Sequence, residues 1–205
     1  LPRGYSAVLP MQQTSPSRSM LEQARQLLAA AAQTGDARLA SRADALLLRF
    51  PADDRRADVL RMRAFSAQHR HDFEQAERLL ARLIAIDPRA GDARLARAQI
   101  HLIAGRLDVA RADCIALVLG VDAGDGMLCV AMLSMRQGQY PAAASAVDRW
   151  LAQNADGDRD GLRYALTMRG EIAARAGERD AERYFRNALA LAPEDVRTLA
   201  AYARF

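Results

Sequence analysis

The chain has 205 residues, 51% of them hydrophobic but only 5% aromatic, and carries a formal net charge of +4. It contains no lysine: all 29 basic residues are arginine, interleaved with 25 acidic residues along the whole sequence. That pattern describes solvated helix faces and argues against the one-sided basic surface of a nucleic-acid binder, and no apolar run reaches the roughly 18 residues that a membrane-spanning helix needs.

The core must be built from Ala and Leu, both strong helix formers. No strand-like alternation is sustained, so an all-α chain is expected. The chain opens at Leu1 rather than Met, which is read as a removed leader or a trimmed start. Residues 1–19 hold Pro2, Pro10 and Pro16 among Ser, Thr and Gln without helical period, and are expected to form an extended arm. From Met20 the helical period begins, with Ser17 or Ser19 as candidate caps. A first helix is expected over 20–34, a break at Gly35-Asp36 and a second helix over 37–50, closed by Pro51. Gly35 precedes Ala40 by five residues, as Gly105 precedes Ala110 and Gly138 precedes Ala143, so residues 20–51 read as a degenerate first repeat.

Residues 53–56 form a charged connector. A second helix pair is expected over 57–88, turning at Arg70-His71-Asp72, a third over 91–121, turning at Gly105, and a fourth over 124–154, turning at Gly138. The run 154–161, rich in Asn, Asp and Gly, reads as an exposed insertion. A fifth pair is expected over 162–193, turning at Gly177, and residues 194–205 begin a helix without a partner. That helix carries Leu199, Tyr202 and Phe205 and is not polar enough to cap a stack. The expectation is therefore that the chain stops short of a natural end or that another surface covers it.

His71 to Gly105 is 34 residues and Gly105 to Gly138 is 33, which is the signature of helical repeats. The last pair has Gly170, Ala181, Phe185, Ala188 and Pro193. The second has Ala64, Ala76, Leu80, Leu83 and Pro88. The third keeps Ala98, Gly105 and Ala110 but has Cys114 and no closing proline. The fourth keeps Ala131, Gly138, Ala143 and Val147, with Trp150 where a small residue is usual. Residues 20–205 thus resemble the tetratricopeptide repeat. The resemblance implies a right-handed α-solenoid of about five antiparallel helix pairs and a non-catalytic scaffold for protein–protein interaction.

A narrower resemblance rests on the run from Ser66 to Phe73, on Ala110-Arg111-Ala112-Asp113-Cys114 and on Gly170-Glu171-Ile172-Ala173. These look like a group of exported proteobacterial tetratricopeptide proteins. That resemblance implies an extracytoplasmic location, in the periplasm or envelope, and a membrane-protein neighbour of metal-transporter type. It implies no activity.

Cys114 and Cys129 are the only cysteines. Their midpoint falls at the turn between Val121 and Asp122, so in an antiparallel hairpin they lie at one height. They read either as a disulfide, in an oxidising compartment, or as two small buried thiols. His69, His71 and Asp72 are three potential metal ligands at a helix end. They give a second reading of the function, an accessory or metal-handling protein working with a membrane partner. Imidazoles near a helix C-terminus are also favoured electrostatically, and no metal site is assigned. Asp122, Asp125 and Gly126, and Asp156, Asp158, Asp160 and Gly161, resemble fragments of calcium loops. The second lacks the glutamate that such a loop needs at its twelfth position.

There is no Gly-x-Ser-x-Gly, no phosphate-binding loop and no His-Glu-x-x-His. Neither a cofactor nor catalysis is expected. First helices of such pairs line the concave face. The inward positions expected there are Arg61, Phe65, Gln68, Leu95, Gln99, Leu102, Leu128, Met132, Met135, Arg136, Thr167 and Glu171. An apolar, Met-bearing middle with Arg and Gln at the edges suits an extended or helical peptide. Arg can pair with acidic groups or a C-terminal carboxylate.

Overall fold

Among the described residues five sit at positive φ, and they set the architecture: Gly35, His71, Gly105, Gly138 and Gly177, at 71°, 60°, 73°, 73° and 72°. At four of these turns the next N–H donates to the carbonyl five residues back, as in Asp72 to Ala67 and Arg106 to His101, and in Gln139 to Ser134 and Glu178 to Ala173. This is the Schellman closure, which satisfies the last carbonyls of one helix while sending the chain back along it. The computed structural model describes residues 16–205; the expected arm up to residue 15 lies outside them.

The helices are α1 (Pro16–Thr34), α2 (Ala37–Leu47), α3 (Ala57–His69), α4 (Phe73–Ile86), α5 (Gly91–Ile103), α6 (Leu107–Ala116), α7 (Ala123–Arg136), α8 (Tyr140–Gln153), α9 (Arg159–Ala176), α10 (Ala181–Leu191) and α11 (Val196–Ala203). No strand occurs among the described residues, and none of their helices is long and apolar enough to cross a membrane. Consecutive helices form five antiparallel pairs, α1/α2 to α9/α10. Each second helix then packs on the first helix of the following pair, and α11 rests on α9 and α10. The result is an all-α solenoid.

Small residues sit where the paired helices approach. Ala64, Ala76, Ala98, Ala110, Ala131, Ala143 and Ala181 are all fully buried. At Gly170 a Cβ would lie 2.9 Å from the ring of the buried Phe185, so only glycine admits that ring. The apolar residues group into three successive clusters along the solenoid, each shared by adjacent pairs. This is what stacking repeats requires, since no pair can bury its faces alone.

Several boundaries differ from those expected. α1 begins at Pro16, so Ser17 and Ser19 lie inside the helix and not before it. Proline is at home in a first helical turn, where its missing N–H costs nothing. α2 ends at Leu47 rather than at Phe50. There Arg63 of α3 donates to the carbonyls of Leu47, Phe50 and Pro51 at 3.2, 2.8 and 3.0 Å, which satisfies them without further helix. α9 begins at Arg159, inside the expected loop, because Asp158 caps it by accepting from the Gly161 N–H at 3.1 Å. The end of α6 widens into a π-helical turn over Leu117–Val121.

The last helix is not free of partners. Tyr202 stacks on Phe185 with ring centroids 5.3 Å apart and donates from its hydroxyl to Glu182 at 2.7 Å. Phe205 joins that stack at 6.0 Å from the Phe185 ring while staying exposed, and Val196 and Leu199 are exposed as well.

His71 occupies a position that its four counterparts give to glycine. An L-residue in the left-handed region carries a steric penalty that glycine does not. His71→Gly is therefore expected to raise stability by about 1 kcal/mol. Urea unfolding checks this; an unchanged or lowered midpoint would mean that the edge-on contact of the His71 ring with Phe73, at 5.7 Å, outweighs the backbone strain.

Candidate functional site

The first helices of the second to fifth pairs each have an acidic first turn: Asp58 in α3, Asp92 in α5, Asp125 in α7 and Asp160 in α9. Carboxylates there complement the helix dipole. They also tie one pair to the next. Arg61 of α3 donates to Asp92 of α5 at 2.6 Å, and Arg163 of α9 donates to Asp195, before α11, at 2.8 Å. Thr167 and the fully buried Thr198 share a hydrogen bond of 2.7 Å between the same two helices. Burial pushes the Asp125 carboxyl up, with Asp122 and Asp92 adding to the effect.

Two open cavities lie on these first helices. The larger, about 980 Å³, runs from α1 and α2 across α3, where Arg61, Phe65 and Gln68 line it, to Ile103 of α5. The smaller, about 360 Å³, is lined by Met132 and Met135 of α7 and by Tyr164, Thr167 and Glu171 of α9. Arg197 of α11 lines both. Burial pushes the Tyr164 hydroxyl up, against the nearby Arg197 charge, and that hydroxyl donates to the Met132 sulfur at 3.3 Å.

The twelve expected groove positions divide accordingly. Arg61, Phe65 and Gln68 line the larger cavity, and Met132, Met135, Thr167 and Glu171 the smaller. Leu95 and Gln99, on α5, are half-buried and line neither, and Arg136 is exposed beyond both. Leu102 and Leu128 are buried within the same hydrophobic cluster and offer no surface to a ligand, because a first helix has to cover its neighbours before it can line a groove. Met132 is nearly as buried, at 9% exposure. Arg197, Tyr164 and Leu28 join the lining without any signal in the sequence; their place depends on the curvature of the stack, which no single repeat encodes.

The other candidate clusters have structural work. Cys114 and Cys129 form a disulfide between α6 and α7, with Cα atoms 5.3 Å apart. Asp72 caps α4 by accepting from the Gln75 N–H at 3.1 Å, and Asp122 caps α7 by accepting from the Asp125 N–H at 2.9 Å. Among the described residues no three His, Cys, Asp or Glu side chains converge as metal ligands.

No protein-family model matches the sequence, and a search of curated proteins returns no match. Solved structures do match. One is a thermophilic TPR protein of Thermus thermophilus, with a TM-score of 0.70 at 18% identity over 92% of this chain and 97% of that one. Another is a tetratricopeptide repeat protein of Parabacteroides merdae, with a TM-score of 0.57 at 12% identity over 91% of this chain and 92% of that one. The class is thereby defined by fold alone: the chain has the fold of a tetratricopeptide-repeat solenoid.

Proposed function

We propose that this chain is a non-catalytic scaffold that holds a protein or peptide partner along its inner face. The observation that supports this is the pair of open cavities on the first helices, joined by Arg197, with an apolar floor and a polar edge. A groove of that kind takes alternate side chains of a peptide or one face of a helix. An extracytoplasmic site of action belongs to the same proposal, supported by the Cys114–Cys129 disulfide, since such bonds persist in oxidising compartments.

The test places a photo-crosslinking side chain at Gln68 or Met135 on the inner face, and at Arg82 or the exposed Leu48 on the outer one. Crosslinked partners from extract are expected at the first two positions and not at the others. Equal trapping on both faces, or trapping on the outer face alone, would overturn the groove.

A further inference from the structure

We infer that the larger cavity selects an acidic peptide with an apolar anchor residue, and that Arg197 reaches from the last helix to hold the peptide's carboxylate over the first pairs. This rests on the scaffold reading and names its ligand class. The cavity wall is aliphatic with one ring: Leu28, Ala31, Ala40, Met62, Phe65 and Ile103. Its rim carries Arg25, Arg61, His69, His71 and Arg197 against one carboxylate, Asp36. That carboxylate is already occupied, accepting from the Arg38 N–H at 2.9 Å and from the Arg38 guanidinium at 3.0 and 2.9 Å.

The rim arginines differ in how far they are neutralised. Arg25 pairs with Glu22 at 2.6 Å and Arg61 with Asp92 at 2.6 Å. Arg197 is exposed and, among the described residues, has neither a hydrogen bond nor an ion pair, although it stands at the junction of both cavities. The nearby carboxylates are committed elsewhere: Asp195, which feels the Arg197 charge, pairs with Arg163 at 2.8 Å, and Glu171 is shared between Arg204 at 3.4 Å and Arg175 at 3.7 Å. A guanidinium is suited to bidentate pairing with a carboxylate. The apolar wall beneath it takes a side chain of Leu or Phe size. The combination reads both features of one ligand.

Other occupants fit less well. A nucleic acid needs stacking platforms, and among the described residues Phe65 is the only aromatic side chain in the wall besides the rim imidazoles. The chain's own residues 1–15 hold Arg3 and no Asp or Glu, so they do not supply the complementary charge.

The probe is a short fluorescent peptide of Glu and Asp around one Leu, compared with the same peptide bearing Gln and Asn, with an all-acidic one lacking Leu, and with an oligo-dT strand. Anisotropy is measured with the full chain. The acidic, Leu-bearing peptide is expected to bind best, and Arg197→Glu to weaken it by about tenfold or more while Arg82→Glu on α4 has little effect. Circular dichroism checks that Arg197→Glu stays folded; Arg197→Ala, which removes an unbonded side chain, gives the same direction with a smaller loss. Equal binding of acidic and neutral peptides, tighter binding of oligo-dT, or indifference to Arg197→Glu overturns the inference. If that happens while Gln68 and Met135 still trap a partner, the scaffold reading survives and only the acidic specificity falls.

Discussion

Replacing Asp113 with alanine is expected to lower stability by about 3 kcal/mol, an effect far larger than loss of a surface ion pair. Asp113 lies on α6 at 2% exposure. It accepts from Arg97 Nε and Nη2 at 2.8 and 2.7 Å, a bidentate pair across the α5/α6 hairpin, and Arg94 lies 3.5 Å away. The carboxylate has left water, and its partner has turned inward to meet it; the hydrogen bond to Asp113 raises the Arg97 pKa despite burial. Alanine would strand the Arg97 guanidinium beside a void. Arg97 is half-buried and can partly rehydrate, which keeps the effect at the lower end of the range for buried pairs. The double replacement Arg97→Met with Asp113→Leu removes both charges and is expected to recover most of the loss. Urea midpoints for the two single variants and the double give the coupling directly. A loss under about 1 kcal/mol for Asp113→Ala would show that water screens the pair after all.

The architecture was legible because turn chemistry repeats. Gly105, Gly138 and Gly177 announce the hairpins, and spacing alone places His71 at its turn despite its being the wrong residue type for a left-handed position. Helix ends were less legible where a distant side chain decides them. Arg63 ends α2 from 13 to 16 residues away, through the carbonyls of Phe50 and Leu47, and nothing near Phe50 announces that. Acidic runs that resembled calcium loops are N-caps at Asp122 and Asp158, because one accepting oxygen three residues before an N–H looks the same in sequence for either purpose.

The inner face was legible only in part for a related reason. A first helix shares its apolar stripe between neighbouring helices and the groove, and the 3.6-residue period does not divide the two. Leu102 and Leu128 went to the core, while Phe65 and Met135 border open space. Arg197 belongs to a helix that the sequence presented as an unpaired end. The small rotation added at each pair brings it over the first turn of the stack, and such a rotation accumulates from packing at every interface.

Among the described glycines, Gly126 at the α6/α7 junction makes the closest approach to a neighbouring backbone. A Cβ on Gly126 would lie 2.6 Å from the Val118 backbone nitrogen and 2.8 Å from its Cα. These are main-chain atoms of the π-helical turn and cannot rotate aside as a side chain would. Gly126→Ala is therefore expected to cost about 2 kcal/mol, even though alanine gains about 1 kcal/mol in helix propensity. That close approach also brings α7 to the height at which Cys129 meets Cys114, a pair 15 residues apart in sequence. Closing a loop of that size stabilises by about 3 kcal/mol in the chain-entropy model. Cys114→Ala with Cys129→Ala is expected to lose about that amount, since both side chains are fully buried and alanine leaves no polar group unpaired. The two effects should not add. In Gly126→Ala the helices must separate before they can be bridged, so the disulfide contributes less, and adding the alanine change to the cysteine-free chain should cost less than adding it to the bridged one. Urea unfolding of the four chains, with and without reductant, measures that coupling. Simple additivity would mean that the turn yields elsewhere and that Gly126 and the disulfide hold the junction independently.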